Sequence, residues 1–239
     1  MEKVWNEKTY SEFKDNLKSL AKPESEFDRQ RHIAIICTKQ YVYGLKMCDI
    51  RALAKEISKN EPLEFLKLAK NDSYEETLIQ GIVIAGIKDL ELQKDLFFEW
   101  VKNIDSWSTC DATVSSMKIL KKSKEKNKYF EYYKNLCFSN KEFVARFGII
   151  VLMTCYLEEE YIDEILAMCK KVTNEKYYVQ MGFAWLISFA FMKFRDKTYG
   201  LLKEKCLPKF VQNKAISKCR DSYQVSDEDK EELILFRIK

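Results

Sequence analysis

Trp107 and Asp111 stand four residues apart in the stretch Ile104-Asp105-Ser106-Trp107-Ser108-Thr109-Cys110-Asp111. A helix starting near Ser106 would project both side chains from one face, one turn apart. An aromatic ring beside a carboxylate suits a ligand that is cationic or becomes so, the ring offering its π-face and the acid a full charge. The same pair also reads as a core tryptophan with an acid near a helix N-terminus, where acids are favoured, and spacing by itself favours that structural reading. Arg146 shifts the balance. It falls in an otherwise apolar helix over 143–156, where a guanidinium without a partner is costly and a carboxylate or a nucleic-acid phosphate would satisfy it. Trp185 lies four positions past Met181 in a very apolar helix, and core packing is its default reading.

Other chemistries find little support. The eight cysteines are scattered without a C-x-x-C pair, and His32 is the one histidine, so zinc-ligand spacing is absent and no metal or other cofactor is expected. The thiols are expected to be reduced and mostly to fill core space, as in a cytoplasmic protein. Residues 1–14 alternate charges and aromatics without the apolar core of a secretory signal. The most apolar stretch, 182–194, is shorter than a membrane span and fits a buried helix; no membrane partner is expected.

The elements that must position these residues are helices. With 46% hydrophobic and 33% charged residues, the 239-residue chain can bury a substantial core, while six Gly and three Pro are too few to punctuate many strands or build a phosphate-cradling loop. Apolar residues recur at three and four, as at Leu63, Leu66, Leu68 and Ala69, then Leu78, Ile82, Ala85 and Ile87. Polar breaks at 59–62, 71–73, 103–106, 139–140, 173–174 and 226–227 predict about ten to twelve helices, several with short oxygen side chains as N-caps. Residues 143–152 can be laid over 178–187 at an offset of 35. That period is one helix-turn-helix pair, which cannot bury its own apolar face and stacks on its neighbours in a curved solenoid.

Charge is unevenly placed. The chain is net +4 overall, yet 193–220 holds nine basic residues against Asp196 and Glu204, net +7, leaving net −3 elsewhere. Concentrated positive charge is what a polyanion requires, although a solvated lysine face accounts for it equally well.

Taken in order, Tyr43-Gly44-Leu45-Lys46-Met47-Cys48-Asp49-Ile50-Arg51, Tyr74-Glu75-Glu76, Trp107-x-x-x-Asp111, Phe143-Val144-Ala145-Arg146-Phe147-Gly148, Tyr178 to Leu186 and Asn213-Lys214-Ala215-Ile216 resemble the DNA alkylation repair family, the HEAT-like-repeat (AlkD-like) DNA glycosylases. The resemblance covers about residues 10 to 230. It implies an all-α, α-solenoid fold of HEAT-like repeats, one domain over 1–239, whose concave basic face holds duplex DNA. It further implies metal-free excision of N3- and N7-alkylated purines without a base-flipping pocket, by a monomeric protein. By position, Asp111 would be the catalytic carboxylate and Trp107 and Trp185 aromatic walls near the damaged nucleotide's sugar. Arg146 would contact the DNA backbone, and Lys46, Lys214, Lys218 and Arg220 would add to DNA binding.

Three departures stand against the family pattern. The helix carrying Ile33-Ala34-Ile35-Ile36 lacks the aromatic often found there, Met47-Cys48 replaces a Pro-containing turn, and Leu186 to Ala190 lacks a basic residue present in some active members. Two alternatives therefore stand beside the glycosylase: a non-catalytic solenoid binding distorted or branched DNA, and a protein-interaction scaffold.

Overall fold

The computed structural model describes residues 4–21 and 26–239. Among them are fifteen α-helices and one 3-10 turn, with no strand beyond an isolated bridge between Tyr41 and Ser73. The chain divides into two compact units, Met1–Ser123 and Lys124–Lys239.

The first unit contains α1 (Glu7–Leu20), α2 (Glu26–Ile36), α3 (Met47–Ile57), α4 (Pro62–Leu68), α5 (Tyr74–Ala85), α6 (Leu90–Trp100), α7 (Trp107–Val114) and α8 (Lys118–Lys122). Helix α5 packs between α3 and α7, so alternate helices stack. The caps follow the polar breaks: Ser73 Oγ accepts from the Glu76 amide at the start of α5, and Ser106 Oγ from the Ser108 amide at the start of α7. A second cluster packs Trp5, Phe13 and Phe65 edge to face, tying α1 to α4.

The second unit contains α9 (Asn127–Leu136), α10 (Glu142–Cys155), α11 (Ile162–Cys169), α12 (Tyr177–Lys193), α13 (Arg195–Lys203), α14 (Lys209–Arg220) and α15 (Asp227–Ile234). Here α10, α12 and α14 form the main stack, with α9 against α10 and α11 and α13 as the second layer. Gly148 shows how close the α9–α10 contact is. A Cβ there would meet the Tyr133 carbonyl oxygen at 2.7 Å and the Cys137 amide at 2.9 Å, and backbone cannot yield as a side-chain tip can. Gly148→Ala is expected to lower unfolding stability by about 2 kcal/mol, read from a denaturant midpoint.

The period of 35 read from the sequence reappears as contact geometry. Phe143 and Tyr178, equivalent under that offset, place ring centroids 5.5 Å apart. Asn174 donates to the Ser139 carbonyl at 3.0 Å, the Tyr178 amide to Glu142 Oε1 at 2.8 Å, and Lys193 Nζ to the Leu157 carbonyl at 2.5 Å. In the first unit the Tyr43 amide bonds Glu75, and Tyr74 meets Ser108. Each of these contacts joins residues 32 to 36 positions apart, so one helical pair is bonded to its successor. Repeat-on-repeat bonding of this kind makes each unit α-solenoid in construction. The helices outnumber the ten to twelve expected because several are short: α8 has five residues, and α7, α11 and α15 eight each, which is little more than two turns in which to show a period.

Candidate functional site

Ser106 fixes the start of α7 twice. Its hydroxyl caps the helix and donates to the Ile36 carbonyl at 2.6 Å. Beside it, Trp107 Nε1 donates to the Ile35 carbonyl at 2.8 Å, and Asp105 accepts from Thr38 Oγ1 and the Lys39 amide, both at 2.7 Å. The C-terminus of α2 is thereby clamped to the N-terminus of α7, using two of the carbonyls that a helix end leaves without internal partners. Tyr74 and Ser108 hydroxyls, 2.7 Å apart, add a tie to α5. Trp107 is thus held to α2 through a backbone carbonyl, that of Ile35.

The environment of the tryptophans separates the two readings of Trp107. Trp5 and Trp100 are 6% and 3% exposed and belong to the core, whereas Trp107 and Trp185 are only half-buried. Asp111, also half-buried, sits on the face of Trp107 one turn along α7. Lys46 is exposed at the N-cap of α3. The turn before it is held by Glu75, a buried carboxylate that accepts from the Tyr43, Gly44 and Leu45 amides at 3.0, 2.7 and 3.3 Å. Gly44 takes φ 85°, a conformation that a side chain would strain.

In the second unit four of the expected residues come together. Arg146 is 5% exposed, donates to the Tyr178 carbonyl at 2.9 Å and lies 5.8 Å from that ring's centroid. Lys218 Nζ stands 5.7 Å over the Trp185 ring, so the cation absent from the α12 sequence after Trp185 is supplied by α14. Burial, then the neighbouring charges of Lys214 and Arg146, hold the Lys218 ammonium below the usual lysine range. Lys218 thus brings positive charge to the Trp185 ring, with Lys214 and Arg146 near enough to act on it, and an arriving anion would relieve that repulsion.

Arg220 does not join them. It lies two residues beyond Lys218, about 200° round α14, and is exposed on another face. Nor is the net +7 of 193–220 all available. Arg195 is spent on Asp229, at 2.9 Å through Nε, and Lys197 on Glu159 and Asp163 at 2.6 and 3.0 Å. These acids lie 34 to 38 positions away, in neighbouring repeats, where a local window cannot see them. Sequence reading also missed Tyr178 as the seat of Arg146, and Glu75 behind Lys46. The one signal for Tyr178 was its equivalence with Phe143 under the 35-residue offset.

Among the described residues no group of three His, Cys, Asp or Glu side chains comes together as a metal site, and no helix is long and apolar enough to cross a membrane. Of the eight cysteines, all free thiols, five are buried.

Stacked helical repeats carrying a half-buried aromatic with an acid in one unit, and a half-buried aromatic under a lysine in the other, define an α-helical repeat protein with charged aromatic faces. The chain belongs to the DNA alkylation repair enzyme family, whose model matches residues 13–217, across both units. Comparisons with curated proteins and with solved structures gave no significant match.

Proposed function

We propose that this protein is a metal-free, monofunctional DNA glycosylase that hydrolyses the N-glycosidic bond of cationic N3- or N7-alkylated purines in duplex DNA, on HEAT-like repeats. The observation that carries the reading is the placement of Trp107 with Asp111: a ring and a carboxylate on one partly exposed face, in a chain whose other tryptophan pair fills the core.

The chemistry follows from the substrate. Alkylation leaves the purine positively charged, so the bond from its nitrogen to C1′ breaks with the electron pair departing on a neutralised base, and the sugar becomes an oxocarbenium-like cation. Asp111 stabilises that cation and orients the water that attacks C1′, while the Trp107 ring contributes cation–π attraction. Trp185, in the second unit, is assigned an aromatic face for the bound DNA. Lys214 and Lys218 hold backbone phosphate, and Arg146, largely covered and anchored on Tyr178, supplies a fixed positive charge to the same face. Lys46 gives the first unit a phosphate contact of its own.

Incubation with duplex carrying N7-methylguanine, followed by assay of free base, tests the reading. Release supports it; retained DNA binding with no release assigns the chain instead to non-catalytic binding. Lys214→Glu with Lys218→Glu is expected to weaken binding to all duplexes by about tenfold or more at moderate salt, with a shallower dependence of log affinity on log salt. Unchanged affinity would show that this face does not meet DNA.

A further inference from the structure

On the other flank of Lys214 the surface carries a groove of about 560 Å³, lined by Lys209, Phe210, Asn213, Lys214, Ser217 and Arg237. Three of its six lining residues are cations and none is an acid. Arg237 is set in place by the last residues of the chain. The Asn213 amide donates to the Ile238 carbonyl at 2.8 Å and its oxygen accepts from the Ile238 amide at 2.9 Å, while Gln212 donates to the Phe236 carbonyl at 3.0 Å. The guanidinium then donates through Nη2 to Ser217 Oγ at 2.7 Å, which leaves most of its five donors for a ligand. Phe210 is partly exposed on the wall, with Tyr177 edge-on to it at 6.0 Å. Lys209 opens α14, so the free amides of that helix's first turn add positive potential at the same end.

Cations without acids select an anion. An exposed ring beside them selects a flat apolar group attached to that anion, because stacking stabilises a base on an aromatic face whatever its sequence. We propose that this groove holds one unstacked nucleotide of a DNA strand, its phosphate among Lys209, Lys214 and Arg237 and its base on Phe210. The proposal rests on the reading of the chain as a DNA-binding protein, and extends the bound strand beyond the segment matched by the family model, since Arg237 lies past residue 217.

Fluorescence anisotropy with a blunt undamaged duplex, and with the same duplex carrying a short single-stranded extension, tests it. The wild type is expected to bind the extended DNA at least about fivefold more tightly, the lower end of what one stacked base contributes. Phe210→Leu keeps every charge and an apolar wall and should remove that preference while blunt-duplex affinity stays. Arg237→Ala should remove it too, and a thermal melt shows whether either variant is folded. Equal wild-type affinity for the two DNAs, or a preference that survives Phe210→Leu, overturns the proposal. Competition by a free nucleoside monophosphate without any extension preference also overturns it, in favour of a free-nucleotide site. Binding of extended but not blunt DNA would support this groove while contradicting the duplex reading above, and binding of neither contradicts both.

Discussion

Asp111→Asn is expected to reduce the rate of base release by about 100- to 1,000-fold, with DNA affinity and folding close to wild type. The substitution keeps the shape and hydrogen-bonding reach of the side chain and removes one unit of negative charge. Electrostatic stabilisation of a developing charge is worth that much when a single preorganised group is lost. The position is half-buried, Asn occupies the same volume, and Trp107 keeps its bond to the Ile35 carbonyl. Single-turnover release from N7-methylguanine duplex, with affinity measured on the same samples, separates lost chemistry from lost binding. Trp107→Phe, by contrast, removes the indole donor that clamps α7 to α2, and should cost both rate and stability.

The second large effect is on stability. Glu75→Ala is expected to lower the unfolding free energy by about 3 kcal/mol or more. Three backbone amides, those of Tyr43, Gly44 and Leu45, rely on this one buried carboxylate, and each donor left dry costs about 1–3 kcal/mol unless water enters. Glu75→Gln keeps an acceptor oxygen but introduces a buried donor, and should fall between the two. Because the turn it holds leads directly into Lys46 and α3, Glu75→Ala should also weaken DNA binding at concentrations where the protein is still folded. Denaturant midpoints for the three proteins check the order. An alanine variant as stable as the wild type would mean that the turn is held by other contacts.

Much of the fold was legible because local rules and tertiary packing agree. Ser73, Ser106 and Ser226 cap helices where polar breaks predicted them, and the 35-residue offset became ring contact between Phe143 and Tyr178. What escaped was whatever depends on the neighbouring repeat. Spacing placed Trp107 and Asp111 on one face but could not tell a core indole from a surface one, since what covers Trp100 and leaves Trp107 half-buried is packing by other helices. A run of basic residues was visible, but the partners that neutralise Arg195 and Lys197 come from other repeats, and Arg220 points away from its neighbours. The cation beside Trp185 was sought on α12 and comes from α14.

Asp111 is proposed to stabilise the sugar cation formed as the glycosidic bond of an alkylated purine breaks. The measurement that bears on it most directly is single-turnover release of N7-methylguanine from duplex DNA by the wild type and by Asp111→Asn, at protein concentrations that saturate the DNA in both. Release by the wild type is expected, slowed at least about 100-fold in the variant. Saturated binding with no release by the wild type, or equal release by both proteins, would contradict it.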